Sequence, residues 1–332
     1  MNHDLSWLPA ELDPVVLRLV RADQLAAELG EVAGEWSKVA LDLRQVERDD
    51  GGHDLVVKGI REIPPLATML FSEAVHHMRA AIDNVLYQLV ELGRAAPLSA
   101  AEAKTVDFPI RVEKTFKEWR KSVVRKGLVE LDEGAKLGDR VACLQPYIDT
   151  MSQVPSISAL LSIMTGMPVV NEHPLLLLQE YSNVDKHRMI RLALPRSAFQ
   201  DEDEPFWTSV HSMRAVAVGD ILKSAAPGEV AVVTAQTAVH VLRPDGITWV
   251  APVPELCHIG SYIADVLIPT LVRGMVLPDS LPRFAELGDN GVTARQRLEA
   301  GHSDNAHARF KKAVDALYDN SYEPELKVAQ RD

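Results

Sequence analysis

The pattern of apolar residues in this chain predicts an α+β fold: a helical bundle in the N-terminal half, packed with a small antiparallel sheet of about four strands and a covering helix. Three observations carry that prediction. Phe71, Val75, Met78, Ile82, Val85, Leu89 and Leu92 recur in steps of three and four, the spacing of one helix face. Beyond residue 188 the character changes to short β-branched runs separated by turn residues. After those runs, Leu256, Ile259, Ile263, Val266 and Leu267 return to helical spacing and suit a helix laid over the buried face of a sheet.

Taken in order, Asp13 to about Arg48 reads as one long helix, with Pro14 just inside its start and Asp49-Asp50-Gly51-Gly52 as its stop. Asp54 to Ile63 reads as a strand closed by Pro64-Pro65, and Leu66 to about Arg94 as the second helix. Phe108-Pro109-Ile110 anchors the loop that follows. Helices are expected near Glu113–Val124 and Asp132–Tyr147, then an irregular stretch from Thr150 to Glu172. His173-Pro174 opens a helix reaching about Lys186. The expected strands are Met189–Leu194, Thr208–Val218, Val230–Leu242 and Ile247–Val253, the last two joined as a hairpin by Arg243-Pro244-Asp245-Gly246. A helix from Glu255 to Arg273 follows. Asn305 to Tyr318 is a short amphipathic helix with Phe310, Val314 and Leu317 on its apolar edge. This organisation divides into a helical-bundle region (1–190), a sheet plus helix (191–277) and a loosely attached tail (278–332) that docks on its own domain or on a partner.

The formal charge of −12 and pI near 5.4 remove any global attraction for phosphate backbones, so an RNA or nucleotide site needs a local basic pocket. The best local candidate is Lys114–Lys126, with six Lys or Arg in 13 residues; its default reading is a solvated helix face. Two distant cysteines, Cys143 and Cys257, fit a reducing compartment and no cysteine metal site. Without a signal-peptide layout or a long apolar run, the expectation is a cytoplasmic chain with no membrane span. Glycine-rich phosphate loops and a Gly-x-Ser-x-Gly elbow are absent, and no cofactor is expected.

Chemistry is hinted at only by two polar stripes beside apolar seams. Ser72, His76, Arg79, Asp83 and Tyr87 lie along one helix line, and Glu180, Asn183 and His187 along another. If the two helices are neighbours, Arg79 pairs with Glu180 and Asp83 holds one nitrogen of His187. A carboxylate-oriented imidazole beside a guanidinium can act as a general acid/base with an anion stabiliser. The plainer alternative is an interhelical network that fixes packing register, which the near-cancelling charges favour. Glu73-x-x-His76 is one Glu-x-x-His unit, whereas di-iron bundles need two plus two further glutamates, so no metal is expected. A mononuclear set of His76, Asp83, Glu180 and His187 is the remaining metal arrangement.

His77-Met-Arg-Ala-Ala-Ile-Asp-Asn-Val-Leu-Tyr-Gln-Leu89, Phe108-Pro-Ile110, Leu144-Gln-Pro-Tyr147 and Asn183-Val-Asp-Lys-His-Arg188 resemble, in order, the landmarks of a family of uncharacterised bacterial proteins. More remotely, the helical half resembles the HEPN superfamily, bundles that often act as metal-independent RNases in toxin and defence systems. That resemblance implies Arg, four to six residues, then His, paired at a dimer interface. Arg79 is instead followed by Asp83-Asn84; Arg48–His53 and Arg297–His302 have the spacing but span a helix end and lie in the tail, respectively. On the HEPN-like expectation the chain is an RNase or nucleotide-binding protein. His187 is then the acid/base, oriented by Asp83, with Glu180 and Asn183 beside it. Arg79 with Lys186 or Arg188 binds phosphate, and His76 and Tyr87 complete the ligand pocket. The expectation from another class is a non-enzymatic interaction or scaffold protein that forms a homodimer or takes a protein partner through its tail.

Overall fold

The structure is a computed structural model that describes residues 3–194, 196–200, 214–277, 281–289 and 291–321; the side chains of residues 187, 236 and 314–321 lie outside the description. The fold is α+β, with a helical N-terminal region and small antiparallel sheets.

Helix α1 (Asp13–Ser37) starts at Pro14 and buries Val16, Leu19, Val20, Leu25 and Leu29. It ends eleven residues before the expected stop at Arg48, because Leu41–Glu47 is strand β1, not helix. The run Leu-Asp-Leu-Arg-Gln-Val-Glu alternates in side, and it pairs antiparallel with β2 (His53–Ile60) across the Asp49–Gly52 turn. Gly51 sits at φ +78°, the left-handed conformation that the turn needs. The indole of Trp36 donates to the carbonyl of Glu62 at 2.9 Å and ties the helix end to the chain leaving β2.

Helix α2 (Pro65–Leu92) is the central rod. Ala67, Phe71, Ala74, Ala81, Ile82, Val85, Leu86 and Val90 are all fully enclosed. A short α3 (Ala100–Ala103) and α4 (Glu113–Arg125) follow, α4 burying Phe116, Trp119 and Val123 while Lys114, Lys117, Lys121 and Arg125 stay exposed. Helix α5 (Lys136–Cys143) is shorter than the expected Asp132–Tyr147. Two-residue strands β3 (Val154–Pro155) and β4 (Asn171–Glu172) form the stem of a loop carrying α6 (Ala159–Thr165). In α7 (Pro174–His187), His173 is the N-cap: its Nδ1 accepts the Leu175 amide at 3.1 Å.

The β-rich segment differs from one four-stranded sheet. Strand β5 (Leu192–Ala193) joins β9 (His240–Leu242) and β10 (Trp249–Val250), the expected hairpin among them. Strand β6 (Ser197–Gln200) pairs with β8 (Thr234–Thr237), and β7 (Ile221–Ala225) pairs with β2. The expected strand Thr208–Val218 falls on residues 208–213 outside the described residues; Arg214 bridges to Ser197. Since β2 pairs with β7, the expected division at residue 190 does not separate two bodies.

Helix α8 (Pro252–Arg273) contains a π turn at Ile263–Leu267 and packs among α1, α2 and α7. It was expected to cover the sheet; its stripe Leu256, Ile259, Ile263, Leu267, Ile268 and Leu271 enters the bundle core instead, with Val241 and Val250 at its margin. By length (22 residues) and mean hydropathy (1.3) it is long and apolar enough to cross a membrane, but 67% of its apolar window is buried inside the fold.

Of the two expected ways for the tail to dock, the described residues take the one on its own domain, and more tightly than a loose attachment. Leu281, Ala285, Leu298 and Ala306 belong to the main core, and α9 (Ala294–Glu299) and α10 (Ala306–Ser321) bracket α1. Arg295 meets Asp13 at 2.7 Å, and Arg309 meets Asp23 at 2.7 Å. Apolar burial closed by ion pairs is why the segment stays down. Phe310 is exposed; Val314 and Leu317 lie outside the described side chains.

Candidate functional site

Arg79 and Asp83 stand one turn apart on α2, where i and i+4 side chains meet, and form an ion pair at 2.9 Å. The Arg79 guanidinium also donates to Gln179 Oε1 of α7 at 3.0 Å and to the carbonyl of Phe108 at 2.9 Å. Asp83 Oδ1 accepts the Phe108 amide at 2.9 Å. Both peptide groups of Phe108 are therefore taken by one side-chain pair, and its ring is fully enclosed. Gln145 continues the hold: fully buried, it donates to the carbonyls of Pro109 (2.9 Å) and Val141 (3.1 Å) and accepts the Arg111 amide at 3.2 Å. An irregular segment running through a core has backbone groups that must be paired, and here side chains of α2 and the 144–147 turn pair them. Burial pushes the Asp83 carboxyl up, against the pull of Arg79 and the Phe108 amide.

Helices α2 and α7 are neighbours, but the polar contacts between them use Gln179 and Asp185 in place of Glu180 and Asn183. Gln179 donates to Asn183 at 3.0 Å, and the Ser72 hydroxyl bonds Asp185 across the helices. The Arg79 pairing differs from the one expected. Arg79 meets Gln179, not Glu180, because α7 turns Leu175, Leu177, Leu178 and Tyr181 inward, which carries Glu180 out to solvent. Desolvation and the neighbouring Glu172 and Asp245 raise the Glu180 carboxyl. Asp83 Oδ1 is shared by Arg79 and the Phe108 amide; the His187 side chain, which Asp83 was expected to hold, lies outside the described residues. Asn183, Lys186 and Arg188 are exposed at the end of α7. His76 is exposed, its ring edge-on to His77 at 6.3 Å, and Tyr87 donates to Glu91 at 3.3 Å. No group of three or more His, Cys, Asp or Glu side chains is placed to hold a metal ion among the described residues.

Both Arg–His spacings are tied up locally. Arg48 pairs with Asp50 (3.0 Å) and Asp54 (3.1 Å), and Arg297 donates to the carbonyls of Glu286 and Gly288 while His302 stacks on Phe284. A wide cleft of about 550 Å³ is lined by Val32, Trp36, Val39 and Pro64 with Glu31, Glu35, Arg61 and Glu62, residues of neither stripe.

Two buried clusters escaped the sequence reading. Arg243 and Glu255, each nearly sealed from solvent, form a two-pronged pair at 2.8 Å on both prongs. Arg243 also donates to the carbonyls of Val154 and Val170 (3.1 Å each), and the Tyr181 hydroxyl donates to Glu255 at 3.2 Å. The second cluster is His173, whose Nε2 lies 3.5 Å from Asp149, with Tyr262 donating to the same carboxylate at 3.1 Å. Burial lowers the His173 pKa while Asp149 opposes it. The available signal was an ionisable residue inside an otherwise apolar run, as with Glu255 beside Leu256. Compared with family models, curated protein sequences and solved structures, the chain finds no match.

Proposed function

We propose that this chain is a non-enzymatic interaction protein, in which the polar network between α2 and α7 is architectural. The single observation that carries the reading is the commitment of Arg79 and Asp83 to the backbone of Phe108. A guanidinium that stabilises a developing anion must face an open site, and this one has three protein acceptors within 3.0 Å. The net charge of −12 weighs the same way against a phosphodiester substrate.

A HEPN-like RNase or nucleotide-binding activity would have to rely on His187, Lys186 and Arg188, the cations and imidazole at the free end of α7. Incubation with single-stranded RNA and with nucleoside triphosphates tests the two against each other. The expected outcome is no turnover, with Asp83→Ala losing about 1–3 kcal/mol of stability for the Phe108 amide and Arg79 left unpaired. Turnover that disappears in His187→Ala, at unchanged melting temperature, would overturn the reading.

A further inference from the structure

From Thr150 to Asn171, 22 consecutive residues carry no Asp, Glu, Lys, Arg or His, in a chain that is 25% charged. Within that stretch α6 is a properly ended helix: the Ser158 hydroxyl caps the Leu161 amide at 3.2 Å, and Gly166 closes it at φ +66°. Yet α6 buries none of its residues. Leu160 is 67% and Ile163 80% exposed, and Met151 beside the stem reaches 88%. Seven helical residues do not persist in water by propensity alone. The stem holds them: β3 and β4 pair, and buried Arg243 grips the carbonyls of Val154 and Val170 from beneath. An apolar loop thus projects from a fixed base, already ordered for contact.

Three features together say what covers it. The exposed area of Ile148, Met151, Leu160, Leu161, Ile163, Val169 and Val170 is on the order of 800 Å², what one partner contributes to a standard protein interface. At the loop's base stand the carboxylates Glu172, Glu180 and Asp245, which repel an anionic lipid surface and ask for cations opposite. The cations are on this same chain: α4 exposes Lys114, Lys121 and Arg125, and Lys117 in a solvent-exposed pair with Glu113 at 2.6 Å. It also reaches the root of the loop, where the Phe116 ring lies 6.2 Å from that of Tyr147, one residue before Ile148. An apolar loop with both acidic and basic groups at its root can match a second copy of itself across a two-fold axis. Two molecules of charge −12 can also approach there without setting their acidic surfaces face to face.

Resting on the interaction-protein reading above, we propose that the loop around α6 is a homodimer interface, its apolar side chains packed on a second copy and its acidic base paired with that copy's α4. The test is sedimentation velocity on the full chain. Wild type is expected to be dimeric at about 100 µM, and Leu160→Asp/Ile163→Asp to weaken association at least about tenfold with an unchanged circular dichroism spectrum. Ile163→Gln serves the same purpose if the double variant misfolds. Glu180→Lys should weaken the dimer, and adding Lys117→Glu and Lys121→Glu should restore it in part. A wild-type monomer, a dimer indifferent to the loop changes, or monomers that float with neutral phosphatidylcholine vesicles would each overturn the proposal. A monomer without turnover removes this interface but leaves the non-enzymatic reading standing; a dimer with turnover does the reverse.

Discussion

Glu255 is held by a guanidinium from the β9–β10 hairpin and a hydroxyl from α7, and it has no water to fall back on. Removing one side of such a pair leaves a bare charge in a core. Arg243→Ala is therefore expected to lose about 3–5 kcal/mol, read as a shift in urea midpoint, whereas Arg243→Met with Glu255→Leu should lose much less. A double variant no more stable than Arg243→Ala would show that the loss lay in packing. Glu255 inside an apolar run is the one local signal, and it does not announce its partner. Arg243 reads as a turn residue and Glu255 as a first-turn helix residue, and only tertiary placement aims each at the other. The same limit governs Arg79: neighbouring Gln179 and Glu180 are 100° apart on α7, and the inward turn of Tyr181 chooses between them.

Elements with strong periodicity were the most legible. The seam of α2 and the His173-Pro174 start of α7 follow from local spacing and capping. Strand β1 was hidden because Leu41–Glu47 is polar enough to pass as an exposed helix face, and its reason to be a strand lies in β2. The tail was misjudged for its Gly, Pro and Asp content, although Leu281 and Leu298 are core residues. Asp23 shows how the tail is fastened: it accepts the Ala306 amide at 2.8 Å, caps the start of α10 and pairs with Arg309. Burial raises its carboxyl despite those partners. Asp23→Ala is expected to release α10, seen as faster amide exchange across Ala306–Phe310 while α2 stays protected; uniform loss of protection would contradict this.

Across the whole molecule the shifted imidazoles act in one direction. Burial lowers the pKa of His77, His173, His240 and His258 below the usual 6.5. Below that value the unfolded chain takes up protons that the folded one refuses, so stability falls as pH drops and is insensitive to these groups above about 7.5. The raised carboxyls of Asp23, Asp83 and Asp265 act oppositely, because there the folded state is the one that gains protons as pH falls. The urea midpoint should accordingly decline between about pH 7.5 and 5.5. His173→Asn keeps an acceptor for the Leu175 amide and should flatten that decline; an identical slope would exclude His173 as a contributor.

The Arg295–Asp13 bond closes a span of 282 residues, so the first helix leaves the ribosome long before the segment that seals it. At ordinary translation speeds that interval is roughly 15–60 s. During it the apolar flank of α1 that faces α9 and α10 is bare. Chaperone dependence should rest on that flank, making yield sensitive to substitutions at the buried Leu281 and Leu298 that hardly touch the finished surface.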